Sequence, residues 1–246
     1  MTEAGPAPYV VLSILGLLST EEWQAVSLSV IVAVTAVASS LPFGIALGWL
    51  MARRDFPGKS ILETAINLPL VLPPVVTGYL LLVVLGRKGW LGGFLERWLD
   101  VRIVFTWKAA ALASAVMAFP LMVRAIRLAF SAVDPRLELA ARTLGAGPVD
   151  TFFSVSLPLA RHGVLAGALL AFGRSMGEFG ATIIVAGNIP GETRTIPLQI
   201  YGALESPGGM ERAAMLVVVA ILVSVGALAT GEALERRGRA KLAAKR

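Results

Sequence analysis

Long uncharged apolar runs alternate along this chain with short clusters of basic residues. The first run extends from Trp23 to Ala52 and is closed by Arg53-Arg54; the second, Thr64 to Gly86, is closed by Arg87-Lys88. A third, 109–123, is short by itself, but Trp107 can anchor one end and Arg124 and Arg127 can snorkel at the other. The fourth, Gly163 to Ala186, is interrupted by Arg174 and Glu178, and the fifth, Ala213 to Gly231, is uncharged. A helix needs about 20 mostly apolar residues to cross a hydrocarbon core of about 30 Å. The pattern therefore predicts an all-α integral membrane protein with about five transmembrane helices, near 23–52, 64–86, 106–127, 163–186 and 213–231.

Composition agrees. Of 246 residues, 56% are hydrophobic and only 15% charged, with mean hydropathy +0.76, more apolar surface than a soluble fold of this size can hide. The net charge of +6 could suggest nucleic acid, but the charges fill gaps between apolar runs, and no aromatic-basic stripe or zinc spacing accompanies them. Nucleic acid is therefore not an expected partner. With no cysteine there is no thiolate chemistry or disulfide framework. Lys and Arg number three in 53–63, five in 124–162 and six in the tail, against five in 87–108, two in 187–212 and none in 1–22. That bias places the C-terminus in the cytoplasm and the N-terminus outside. Residues 1–22 carry an apolar stretch, Tyr9 to Leu18, too short to span and lacking the positive start of a secretory signal, so an external interfacial helix is expected. The basic tail, 235–246, is expected to attract anionic membrane lipid.

The cytoplasmic stretch 134–158, between spans three and four, is the most informative. Asp134 is a candidate N-cap with Pro135 at the first helical position. Leu137, Ala140, Ala141 and Leu144 follow at helical spacing, and Gly145, Gly147 and Pro148 stop the helix. A short amphipathic helix pinned between two spans must place its apolar face against its own bundle or against a cytoplasmic partner. Gly58-Lys59-Ser60 has the tail of a phosphate-binding loop, but position 53 is Arg where that loop requires Gly, and no apolar strand precedes it. The match is therefore accidental, and no catalytic or metal-binding residue is assigned to this chain. His162, the single histidine, adjoins Arg161 at a membrane boundary.

Glu138-x-Ala140-Ala141, then Gly145 and Leu157-Pro158, resembles the EAA loop of bacterial ABC importer permeases, with Val155 where Ile is usual. The resemblance implies a type I importer permease fold whose short cytoplasmic coupling helix seats in a cleft of an ATP-hydrolysing subunit. Glu138, Ala140, Ala141, Leu144, Gly145 and Pro158 are the implied docking residues, Glu138 orienting the helix and Gly145 permitting a tight turn. Leu68-Pro69-Leu70-Val71-Leu72-Pro73-Pro74-Val75-Val76-Thr77-Gly78-Tyr79, Phe119 to Arg127, Gly177-Glu178-Phe179-Gly180-Ala181-Thr182 and Asn188 to Pro197 resemble one branch, the molybdate permeases. That likeness runs over about 21–235 and implies a molybdate, or tungstate, importer. Its partners would be two ATP-binding subunits carrying Mg-ATP and a periplasmic oxyanion-binding protein. A sulfate or thiosulfate permease, whose substrate is the same tetrahedral dianion, is the nearest alternative. A gradient-driven secondary transporter would be expected to show repeated halves and paired intramembrane carboxylates.

Five helices are too few to enclose a route for a hydrated dianion, so a homodimer about a two-fold axis is expected. The spacings Gly44-x3-Gly48, Gly163-x3-Gly167 and Gly173-x3-Gly177 favour close helix contacts. Pro69, Pro73 and Pro74 must bend or break span two, and irregular backbone at that depth belongs inside protein or beside water, which points to Thr77 as a pathway residue. Arg174 and Glu178, one helical turn apart, form either a structural pair or a site where Arg174 compensates a passing oxyanion and Glu178 restrains it. Thr182 completes the pathway candidates. In the external stretch 187–212, Asn188, Glu192 and Arg194 mark a structured loop expected to help dock the binding protein, with 196–201 turning back toward the membrane.

Overall fold

The computed structural model describes residues 18–243, and every regular element among them is helical. The expected external helix within 1–22 lies almost wholly outside the described residues. The chain runs α1 (Thr20–Arg53), α2 (Lys59–Val71), α3 (Pro74–Leu85), α4 (Trp90–Leu99), α5 (Trp107–Ser131), α6 (Pro135–Thr143) and α7 (Pro148–Thr151). A π-helical segment, Phe152–Ser156, then leads into α8 (Leu157–Met176), followed by α9 (Gly180–Val185), α10 (Ile196–Leu204) and α11 (Met210–Ala243). Four stretches are long and apolar enough to cross a membrane, and a fifth counts if α2 and α3 form one broken span.

The core is α5. Two thirds of its apolar window is buried (67%), whereas the windows of α1, 148–176 and α11 are 28%, 22% and 18% buried. α1 and α8 pack on α5 and also touch each other, and α11 packs on α8 and α10. Small side chains allow this. Ala109, Ala110, Ala113 and Ala118 are buried along α5. A side-chain carbon at Gly44 would lie 2.8 Å from Met122 Sδ, and one at Gly48 would lie 2.7 Å from Ile126 Cγ2. Gly163 and Gly167 give α8 the same closeness to Ala129 and Ile126. The third small-residue spacing does something else: Gly173 and Gly177 face open space.

Two predicted spans are corrected. The run expected over 64–86 is two helices bent by 113°, and its first part starts earlier, at Lys59. Pro69 stays inside α2; the break is at Leu72 and Pro73, each preceding a proline and held extended (ψ 142° and 136°) by the ring after it. The run expected over 163–186 is also not continuous. The helical stretch able to cross begins at Pro148 and ends at Met176, and Gly177, Glu178 and Phe179 separate it from α9. Arg124 and Arg127, expected to snorkel, instead tie α5 to α2, with Arg124 Nε 2.8 Å from Asn67 Oδ1 and Arg127 Nη1 2.6 Å from Glu63 Oε1. Of the tryptophans, Trp23, Trp90, Trp98 and Trp107 are exposed, whereas Trp49 turns inward to meet the edge of Phe152 at 5.6 Å.

A candidate docking helix and a broken-helix centre

α6 is built as its residues direct. Asp134 Oδ1 accepts a hydrogen bond from the Arg136 N–H at 2.9 Å, and Pro135 opens the first turn. The helix ends in a Schellman motif: Ala146 N–H donates to Ala141 O (3.1 Å) and Gly145 N–H to Arg142 O (3.0 Å). Gly145 carries φ +95°, a left-handed conformation that a side chain would strain. The tight turn expected of Gly145 is there.

Glu138 is the buried residue of α6, and it faces its own chain. Its Oε1 accepts from Arg53 Nε at 2.9 Å and from Ser156 Oγ at 2.8 Å, while Arg53 Nη2 donates to Val133 O at 2.8 Å. Both side chains of the ion pair are 11% exposed. The end of α1, the end of α5 and the π segment therefore meet at one carboxylate. The π segment contributes by phase: its wider turn offsets the chain by about one residue, roughly 100° of rotation, and Ser156 lands against Glu138. Phe152, beside it, packs between Phe130 (6.0 Å) and Trp49. α6 thus stands on a rigid base.

Its other face is uncovered. Leu137, Leu139, Ala140 and Arg142 lie at the surface, Ala141 is half-buried, and Leu144 at the tip is 89% exposed, with Val149 and Phe153 exposed nearby. Pro158 is exposed in the first turn of α8, beyond the π segment. Of the residues expected to dock, Ala140, Leu144, Gly145 and Pro158 are therefore at the surface, Ala141 is partly covered, and Glu138 lies behind them, bonded to its own chain.

At the centre of the bundle, α3 crosses α9 with glycines at the contact. A carbon added at Gly78 would lie 2.7 Å from Ala181 O, and one at Gly180 would lie 2.8 Å from Pro74 Cβ. Thr77 and Thr182 belong to these two helices. Both are buried, and both hydroxyls lack a partner, as does that of Ser175. Arg174 is not mid-helix as expected but in the last turn of α8, where the carbonyl end of the helix favours a cation. Its Nη1 lies 2.7 Å from Glu178 Oε2, and Glu178 Oε1 accepts from the Ala181 N–H at 2.9 Å. Glu178 is 1% exposed and Arg174 29%. The pair closes the break: the cation finishes one helix and the carboxylate caps the next. Spacing alone predicts one continuous helix through both residues, and the structure corrects it.

The loop expected to be external is self-bonded. Arg194 Nε donates to Asn188 Oδ1 at 2.8 Å, and Thr193 accepts from the Ile189 N–H through its hydroxyl. Glu192 is exposed beside Gly191. The segment expected to turn back is α10, with Ile196 and Leu198 buried and the Ile196 N–H donating to Ser29 Oγ of α1 at 2.7 Å. Among the described residues no group of three or more His, Cys, Asp or Glu is arranged to hold a metal.

Residues 44–239 match the family model described as "Binding-protein-dependent transport system inner membrane component". The chain belongs to this family. Relatives are close: the molybdenum transport system permease protein ModB of Escherichia coli (strain K12) is 53% identical over 91% of this chain and 97% of its own. ModB of Haemophilus influenzae is 51% identical over 90% and 96%, and the sulfate transport system permease protein CysW of Synechocystis is 34% identical over 87% and 77%. Among solved structures, an amino acid ABC transporter matches with TM-score 0.64 at 18% identity over 92% of this chain and 97% of that one. An ABC transporter involved in the import of alginate matches with TM-score 0.71 at 14% identity over 96% and 85%. These distant structures share the fold of this permease.

The all-helical importer-permease fold expected from the EAA resemblance is therefore the observed one, and the chain is a multi-pass, non-catalytic permease subunit of a molybdate ABC transporter. Membership implies an ATPase and a binding protein as partners. Two features of the permease had no sequence signal that spacing alone could read. The Arg53–Glu138 pair joins residues 85 positions apart. The cap made by Glu178 exists only because the helix stops at Met176.

Proposed function

We propose that this permease forms the membrane pathway of an ATP-driven molybdate importer, working as a homodimer. Each copy offers α6 to one of two ATP-binding subunits, which carry the Mg-ATP. The observation that supports coupling through α6 is the uncovered apolar knob, Leu137, Ala140 and Leu144, braced from behind by Glu138 and Arg53. A rigid lever with an apolar tip transmits the closing of the ATP-binding subunits to α1, α5 and α8 together. The substrate reading rests on the 53% and 51% identity to molybdenum transport permeases, against 34% to a sulfate permease.

In this reading the basic loops 53–63 and 124–162 and the tail are cytoplasmic, and Asn188, Glu192 and Arg194 lie outside, where the loop of 188–194 helps seat a periplasmic oxyanion-binding protein. Thr77 and Thr182, unpartnered hydroxyls on α3 and α9, become pathway donors when those helices part. Arg174, part-exposed, lends positive charge to the passing dianion while Glu178 keeps it from holding the ion too firmly. Binding of ATP shifts the population from inward- to outward-open and hydrolysis resets it.

The test is ATP hydrolysis by the full complex in vesicles with its binding protein, given molybdate, tungstate or sulfate in turn. Stimulation by molybdate or tungstate, lost in Glu138→Lys together with ATPase docking, is expected. Stimulation by sulfate alone keeps the coupling argument and moves the substrate to the sulfate branch.

A further inference from the structure

The segment joining α3 to α5 lies at the opposite end of α5 from the docking helix, and transport as described makes no use of it. Within it, Trp90, Phe94 and Trp98 recur every four residues of α4, so their rings share one helix face. They are 76%, 55% and 72% exposed. The other face is pressed onto the end of α3: a side chain at Gly92 would collide with the carbonyl oxygens of Leu85 and Gly86. The orientation of the aromatic row is therefore fixed, pointing away from the protein.

Between α4, the end of α3 and the extended chain at 101–105 lies a cavity of about 560 Å³. Its walls are apolar, from Leu82, Leu85, Val101 and Ile103, and Arg87, Lys88 and Arg102 stand at it. Glu96 Oε2 meets Arg87 Nε at 3.3 Å and Glu96 Oε1 meets Arg102 Nε at 2.9 Å, yet both guanidiniums are mostly exposed, 81% and 72%. One carboxylate for three cations leaves a net positive rim over an apolar cleft, beside an aromatic row at the level where a span ends. Tryptophan rows of this kind settle at the boundary between headgroups and acyl chains.

We propose that this is a binding site for an anionic phospholipid. The phosphate sits on Arg87, Lys88 and Arg102, an acyl chain enters between α3 and α4, and the face of Trp90, Phe94 and Trp98 lies in the headgroup boundary. Basic residues are disfavoured on the translocated side of a membrane, and the lipid phosphate gives these a partner. Subtracting Glu96 leaves two uncompensated charges, and at about fivefold per cation the preference for an anionic over a zwitterionic lipid is roughly thirtyfold.

The test uses the intact transporter in nanodiscs of phosphatidylglycerol mixed with phosphatidylcholine, with retained lipid counted by native mass spectrometry. Retention of phosphatidylglycerol is expected, lost in Arg87→Gln/Lys88→Gln/Arg102→Gln. Arg87→Gln/Lys88→Gln, which keeps the Arg102–Glu96 pair, is expected to lose most of it without loss of folding. Independently, brominated phosphatidylglycerol is expected to quench the fluorescence that Trp90→Phe/Trp98→Phe removes, and brominated phosphatidylcholine to quench it less. Equal retention of both lipids by the native complex, or by native and variant complexes, overturns the proposal. So does a double variant that keeps its lipid but loses stimulation by the binding protein, which would assign the surface to protein docking.

Discussion

Replacing Arg53 with Met separates a bracing role for Glu138 from a direct contact with the ATPase. In the native chain Arg53 supplies two hydrogen bonds, 2.9 Å to Glu138 Oε1 and 2.8 Å to Val133 O. Arg53→Met keeps the aliphatic stem and removes both, leaving a carboxylate 11% exposed with Ser156 Oγ as its remaining donor. Stranding a buried charge costs about 3–5 kcal/mol, and the residual exposure brings this to about 2–4 kcal/mol. Ser156→Ala, which removes one hydroxyl donor, is expected to cost about 1–2 kcal/mol. Arg53→Met/Glu138→Met removes both charges and fills the space, so most of the loss should return. Thermal unfolding of the purified complex measures the cycle, and molybdate taken up per ATP hydrolysed measures coupling. Arg53→Met should lower both while hydrolysis itself persists, because α6 still meets the ATPase but no longer moves rigidly with α1. A melting temperature and a transport ratio equal to native, or a double variant as unstable as the single one, would refute this reasoning.

Leu144→Asp places a charge on a tip that is 89% exposed, so the isolated chain should fold as before and fail to co-purify with its ATPase. Gly78→Ala puts a methyl group 2.7 Å from Ala181 O, an overpacking worth about 1–3 kcal/mol; it should lower the melting temperature and change uptake more than ATPase binding. Arg174→Gln leaves Glu178 capping α9 but without its cation, and molybdate flux should fall at normal membrane levels. Undiminished flux would remove Arg174 from the pathway and leave it a structural residue.

Much of this architecture is legible because a hydrocarbon solvent imposes long apolar runs, and those at 23–52 and 213–231 fall within single helices, α1 and α11. The docking helix is legible too, since Asp134, Pro135 and Gly145 each act through local backbone geometry. Breaks are legible only where a proline causes them: Pro73 announces its own, but the stop at Gly177 lies in a run that reads as uninterrupted helix. The π segment has no signal, because Phe-Phe-Ser-Val-Ser suits an α-helix equally well. Pairs such as Arg53–Glu138 and Arg127–Glu63 depend on which helices become neighbours, and periodicity along one helix does not encode that. Trp90, Phe94 and Trp98, by contrast, carry their signal in plain view, since a spacing of four already describes a helix face.

The uncovered tip of α6 also bears on the life of the chain before it transports anything. A permease copy that reaches the membrane ahead of its partner holds Leu144, Val149 and Phe153 out toward water on a rigid mount, and it has no means of folding them away. Exposed apolar groups of this kind are what chaperones and membrane proteases recognise. Subunit supply is thereby self-correcting: copies in excess of the ATPase should be degraded quickly, and co-expression of the ATPase should lengthen their half-life.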